Sequence, residues 1–72
     1  MRKTETEDPA VERALNFLAS MPSGNTTLTS KQVRALLLKV DGQMMSRGYI
    51  YDIMSRKIGP GVYRVWLEPW KG

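Results

Sequence analysis

No cysteine and no histidine occurs anywhere in this chain, so apolar packing has to hold its fold together. Disulfides and thiolate metal sites are excluded, and the commonest metal ligand is missing with them. The constraint is tight because only 72 residues are available. A domain that small buries about 60% of the surface its unfolded chain exposes. At roughly 0.05–0.15 kcal/mol per residue its stability is about 4–11 kcal/mol. One domain at most is expected, and it either packs well or shares its core with a partner.

The same absences bear on function. Histidine is the commonest general base near neutral pH, and cysteine the most nucleophilic side chain. From Pro9 onward the acids are Glu12, Asp41, Asp52 and Glu68, scattered along the chain. No glycine-rich loop precedes a Lys-Ser or Lys-Thr pair, so no phosphate cradle is expected. A domain this small also encloses no pocket of the usual size. The chain is therefore read as a non-enzyme with no metal and no cofactor. No apolar run approaches the roughly 20 residues that cross a bilayer. The charged start, Met1 to Asp8, does not read as a signal peptide. A cytoplasmic protein without membrane contact is expected.

Residues 1–8 are polar without periodicity and read as a disordered tail. Asp8-Pro9 opens a first helix, with Asp as N-cap and Pro at the first helical position. Val11, Ala14, Leu15 and Leu18 form its apolar stripe, and Pro22 and Gly24 end it near Met21. Thr26 to Leu28 favour a short strand. Thr29-Ser30-Lys31-Gln32 then matches a capping box, with Leu28 and Val33 placed for a hydrophobic staple. Val33, Leu36, Leu37 and Val40 make the buried side of this second helix, and Asp41-Gly42 stops it. A third helix is expected over about residues 46–57, starting at Ser46 or nearer Tyr49. Ile50, Ile53, Met54 and Ile58 would be its buried stripe. Gly48 either precedes this helix or marks a close backbone approach to a ligand; the first fits better, because glycine inside a helix costs about 1 kcal/mol. Gly59-Pro60-Gly61 is a turn. Val62 to Leu67 reads as a strand with Tyr63, Val65 and Leu67 on one face and Val62, Arg64 and Trp66 on the other. Arg56 to Ile58 is either its partner strand or the end of the third helix. Residues 69–72 read as a loose tail beyond Pro69.

The expected fold is thus mainly α with a small antiparallel β element: a three-helix core plus a C-terminal hairpin over residues 9–68. The order helix, short strand, helix, turn, helix, hairpin resembles the winged helix-turn-helix domains of bacterial and phage transcription regulators. In that family the short strand pairs with the wing hairpin, and residues 26–28 stand in its place. The resemblance implies a recognition helix in the major groove and a wing on the backbone. It is one of arrangement, and the turn between helices two and three, about Asp41 to Met45, is longer than a tight one.

Charge fits a nucleic-acid partner. The balance is 11 Lys plus Arg against 7 Asp plus Glu, net +4. A basic folded part favours anionic partners. On the winged-helix expectation, Arg47, Tyr51, Ser55, Arg56 and Lys57 lie on the exposed side of the third helix. Arg reads guanine edges, and Tyr and Ser reach phosphates or bases. Lys31 and Arg34 at the start of the second helix, and Arg64 on the wing, are placed for phosphates. The leading expectation is a transcription regulator that binds double-stranded DNA, either as a homodimer or with the help of another protein, because one such domain makes few base contacts. The rival is a protein-binding adaptor or inhibitor of a larger machine on the same scaffold, such as RNA polymerase or another regulator. Trp66, Trp70 and Tyr49 are then the interface candidates, since Trp and Tyr are enriched in binding hot spots.

Overall fold

The computed structural model describes residues 8–72. The expected tail, residues 1–8, falls outside that range except for Asp8. Two helices and four strands follow in the order α1 (Pro9–Ser20), β1 (Asn25–Thr29), α2 (Ser30–Val40), β2 (Gln43–Ser46), β3 (Tyr49–Gly59) and β4 (Val62–Pro69). The strands form one antiparallel sheet in the order β1-β4-β3-β2. This is an α+β fold with both helices on one side of a sheet. It overturns the expected mainly α, three-helix architecture.

Both helix starts follow from their capping residues. The Asp8 carboxylate accepts the Ala10 amide at 2.9 Å, and Pro9 follows it as the first helical residue. The Thr29 hydroxyl accepts the Gln32 amide at 3.2 Å, while the Gln32 side chain accepts the Thr29 amide at 3.0 Å. That reciprocal pair satisfies two of the donors that a helix start leaves orphaned. Gln32 also donates to the second Asp8 oxygen at 3.2 Å, so the two helix starts are tied together. At the end of α2 the left-handed residue is Asp41, with φ of +55°, and Gly42 follows it in the same region.

β1 lies where a winged-helix strand would, antiparallel to β4 with Leu28 opposite Tyr63. The third helix, however, does not exist. Residues 43–46 and 49–59 are β2 and β3, joined by the two-residue turn Arg47-Gly48. Both turn residues have positive φ, +55° and +84°. That pattern is the mirror-image turn whose twist matches a hairpin. Gly48 serves this turn and does not precede a helix. Tyr49, Ile50, Tyr51 and Ile53 all favour extended backbone. As the central strand between β2 and β4, β3 also satisfies its amides on both edges. Arg56 to Ile58 is therefore strand, paired with β4 through Arg56–Arg64 and Lys57–Tyr63, with an irregularity before Gly59. Pro60 and Gly61, the latter at φ of +67°, close this second hairpin.

Strand alternation divides the sheet into two faces. Leu28, Ile53, Val65 and Leu67 point to the helices and meet Val11, Ala14, Leu18, Val33 and Leu36 in one core. Leu18, Leu36 and Val65 are fully buried. Ile50, Met54 and Ile58, expected in a buried helical stripe, instead lie on the opposite face and are exposed. The β2–β3 turn is fastened to the end of α1. The buried Ser46 hydroxyl donates to the Ala19 carbonyl, and the Arg47 guanidinium donates to the Ser20 carbonyl at 3.3 Å. Arg47 places positive charge at a helix C-terminus that carries no basic residue of its own, where the helix dipole favours it. The chain stays tied past the expected strand end: Pro69 belongs to β4, and the Trp70 amide donates to the Ile50 carbonyl at 3.0 Å.

Candidate nucleic-acid interface

The helices leave the second face of the sheet uncovered. Register places its side chains in five cross-strand rows. Thr29 and Val62 lie nearest the β3–β4 turn, with Ile58 at the irregularity beside them. Next come Thr27, Arg64 and Arg56, then Asn25, Trp66 and Met54. The fourth row is Glu68, Asp52 and Gln43, and the fifth Ile50 and Met45 with Trp70 beside them. Basic, apolar and acidic bands thus follow one another along the strands, about 7 Å apart.

The basic band is the most unusual of them. Arg56 and Arg64 are directly opposed on neighbouring strands. Like charges so placed are destabilising. Neither guanidinium has an ion pair among the described residues; the described pair is Lys39 with Glu12, at 2.9 Å on the helices. An open cleft joins the two arginines to Trp66 and Ile58. The Trp66 indole is oriented by its N–H, which donates to Glu68 at 3.0 Å, and it stays partly exposed. Asp52 is held by the Gln43 amide at 3.0 Å. Both acids therefore have local partners while, among the described residues, the arginines have none.

The fold scatters the other residues expected to bind nucleic acid. Lys31 and Arg34 are exposed on α2, in the other layer. Arg47 sits in the β2–β3 turn at the end of α1. Tyr51, Ser55 and Lys57 alternate to the helix-facing side of β3; Tyr51 is half-buried and the other two are exposed. Of that set, Arg56 and Arg64 come together on the open face, while Arg47 and Tyr51 line a separate cleft with Pro22 and Pro69. Among the interface candidates, Trp66 lies beside the arginines. Trp70 is 47% exposed at the far end of the open face, and Tyr49, beside the β2–β3 turn, is 69% exposed. A shallow cleft runs between Tyr49, Ile50, Pro69 and Trp70. Met54, Ile58, Asp52 and Glu68 belong to the face and were not expected there. The signal for Asp52, Met54 and Ile58 is the even-numbered alternation through β3, which a helical assignment hides; Glu68 continues the alternation of Arg64 and Trp66 along β4.

Among the described residues no group of three acidic, histidine or cysteine side chains could hold a metal ion, and no helix is long and apolar enough to cross a membrane. Comparison with protein-family models, with curated proteins and with solved structures gave no match.

Proposed function

We propose that this protein binds single-stranded nucleic acid on the open face of its sheet, as a non-enzymatic cytoplasmic protein. The observation that carries the proposal is the directly opposed, unpaired Arg56 and Arg64 beside a partly exposed Trp66. A phosphate between the two guanidiniums removes their repulsion and gains charge-assisted hydrogen bonds. The indole offers a platform for an unpaired base, and Met54 and Ile58 flank it with apolar surface. Arginines along a backbone and an aromatic under the bases are the usual elements of single-strand binding.

Duplex DNA fits this face less well. A major groove about 12 Å wide admits a helix or a two-stranded ribbon. Four strands spaced about 4.8 Å apart span about 14 Å before side chains are added. The segment expected to enter the groove as a helix, residues 46–57, is instead a hairpin.

The test is fluorescence anisotropy of labelled oligo-dT and oligo-U against a duplex of equal length, at low protein concentration. Two phosphate contacts on a single strand predict a salt slope of about −1.4, hence roughly sevenfold weaker binding between about 50 and about 200 mM salt. Trp66→Ala should weaken binding roughly 5- to 150-fold if one base stacks, as about 1–3 kcal/mol implies. A folded Arg56→Ala, Arg64→Ala double variant with undiminished affinity, or equal affinity for the duplex, would overturn the proposal.

A further inference from the structure

The order of the bands on the open sheet face makes that face complementary to itself. Along β3 the sequence of outward residues is Ile50, Asp52, Met54, Arg56 and Ile58; along β4, running the other way, it is Trp70, Glu68, Trp66, Arg64 and Val62. Each strand therefore carries an acid two positions to one side of an apolar centre and an arginine two positions to the other.

We propose that two copies of this chain dimerise face to face through this sheet, about a two-fold axis lying in the interface across the strands, along the row of Asn25, Trp66 and Met54. Of the two in-plane axes, only this one reverses strand direction between the copies. It sets Arg56 of one copy over Asp52 of the other, and Arg64 over Glu68. Met54 and Trp66 meet their own counterparts at the centre. Ile50 of one copy covers Ile58 of the other, and Trp70 covers Val62. An axis parallel to the strands would instead put acid on acid and arginine on arginine. Like charges juxtaposed across an interface suppress that alternative. A two-fold interface must be self-complementary in this way.

The pairing explains what the isolated chain leaves open. It gives the unpaired arginines carboxylate partners, and it covers Ile58 and Trp70, which are 46% and 47% exposed in one copy. The face is small. Three strand spacings by five rows give about 400 Å² of flat sheet, below the roughly 800 Å² per partner of standard interfaces. The dimer should therefore be weak, with a Kd of about 10–100 μM. It does not depend on the nucleic-acid proposal, although the two uses of the face would compete.

Sedimentation equilibrium without nucleic acid, from about 5 μM to about 500 μM around that Kd, tests it. The wild-type chain should pass from monomer to dimer. Asp52→Arg alone should be monomeric across the range, because it sets four arginines against one another. Arg56→Asp alone should be monomeric because it gathers four carboxylates. An equal mixture of the two variants should dimerise, since every facing pair is then again opposite in sign. Circular dichroism of each variant checks that the sheet is intact, and these sites are on the surface. A wild-type chain that stays monomeric, or single variants that dimerise as well as wild type, would overturn the proposal. So would a mixture of folded variants that fails to dimerise. Nucleic-acid binding is read separately by anisotropy, so either idea can fail alone.

Discussion

Replacing Gly48 with alanine should destabilise the protein, although it adds no contact and removes none. A Cβ built at Gly48 meets no atom within 4 Å, so no steric clash with the rest of the fold enters. What remains is the backbone, held at φ of +84° by the two-residue turn between β2 and β3. A left-handed conformation costs an L-residue roughly 1–2 kcal/mol. Alanine also restricts the unfolded chain, which returns about 0.4–1 kcal/mol. The net expectation is a loss of about 1 kcal/mol. In a domain of this size that lowers Tm by roughly 4–8 °C. Urea titration at fixed temperature gives the same quantity as a lower midpoint with an unchanged slope. The sign is what matters. Were residues 46–57 a helix with Gly48 inside it, the substitution would stabilise by about 1 kcal/mol, because alanine is the better helix former. A higher Tm for Gly48→Ala would refute the hairpin.

Three further outcomes follow from the packing and the caps. Thr29→Ala removes the hydroxyl that closes the capping box of α2 and should cost about 1 kcal/mol in urea denaturation. Leu36→Ala empties a fully buried position under the sheet and should cost about 2–5 kcal/mol, read as a lower midpoint in urea denaturation followed by circular dichroism. Ser46→Ala leaves the Ala19 carbonyl without its side-chain donor and should cost about 1–3 kcal/mol; faster amide exchange in the last turn of α1 would mark the loosened contact.

Much of the fold was legible because it is written in local chemistry. The Asp8-Pro9 cap, the capping box at Thr29, the turn at Gly59-Pro60-Gly61 and the alternation of β4 each rest on residues within a few positions of one another. Even the short β1 was placed, through its position before α2. The segment from Gln43 to Ile58 was not legible, for a definable reason. β3 is apolar on both faces: Tyr51 and Ile53 point to the helices, and Ile50, Met54 and Ile58 point away. That erases the period of two. Ile50, Ile53 and Met54 then fall at helical spacing and imitate an amphipathic stripe. Arg47-Gly48 is a hairpin turn without the usual Asn or Asp before its glycine, so the strongest local correction was absent.

The candidate site shows the same division more sharply. The sequence alone determined that the folded part is basic, that it lacks the common catalytic side chains, and that Arg64 and Trp66 share one side of a strand. Only the tertiary structure decided that Arg56 stands opposite Arg64 and that Lys31, Arg34 and Arg47 lie elsewhere. Capping and turn chemistry act over three or four residues and can be read along the chain. Pairing of β3 with β4 joins residues through a register that depends on the whole sheet, and a shift of one position would turn every side chain to the other face.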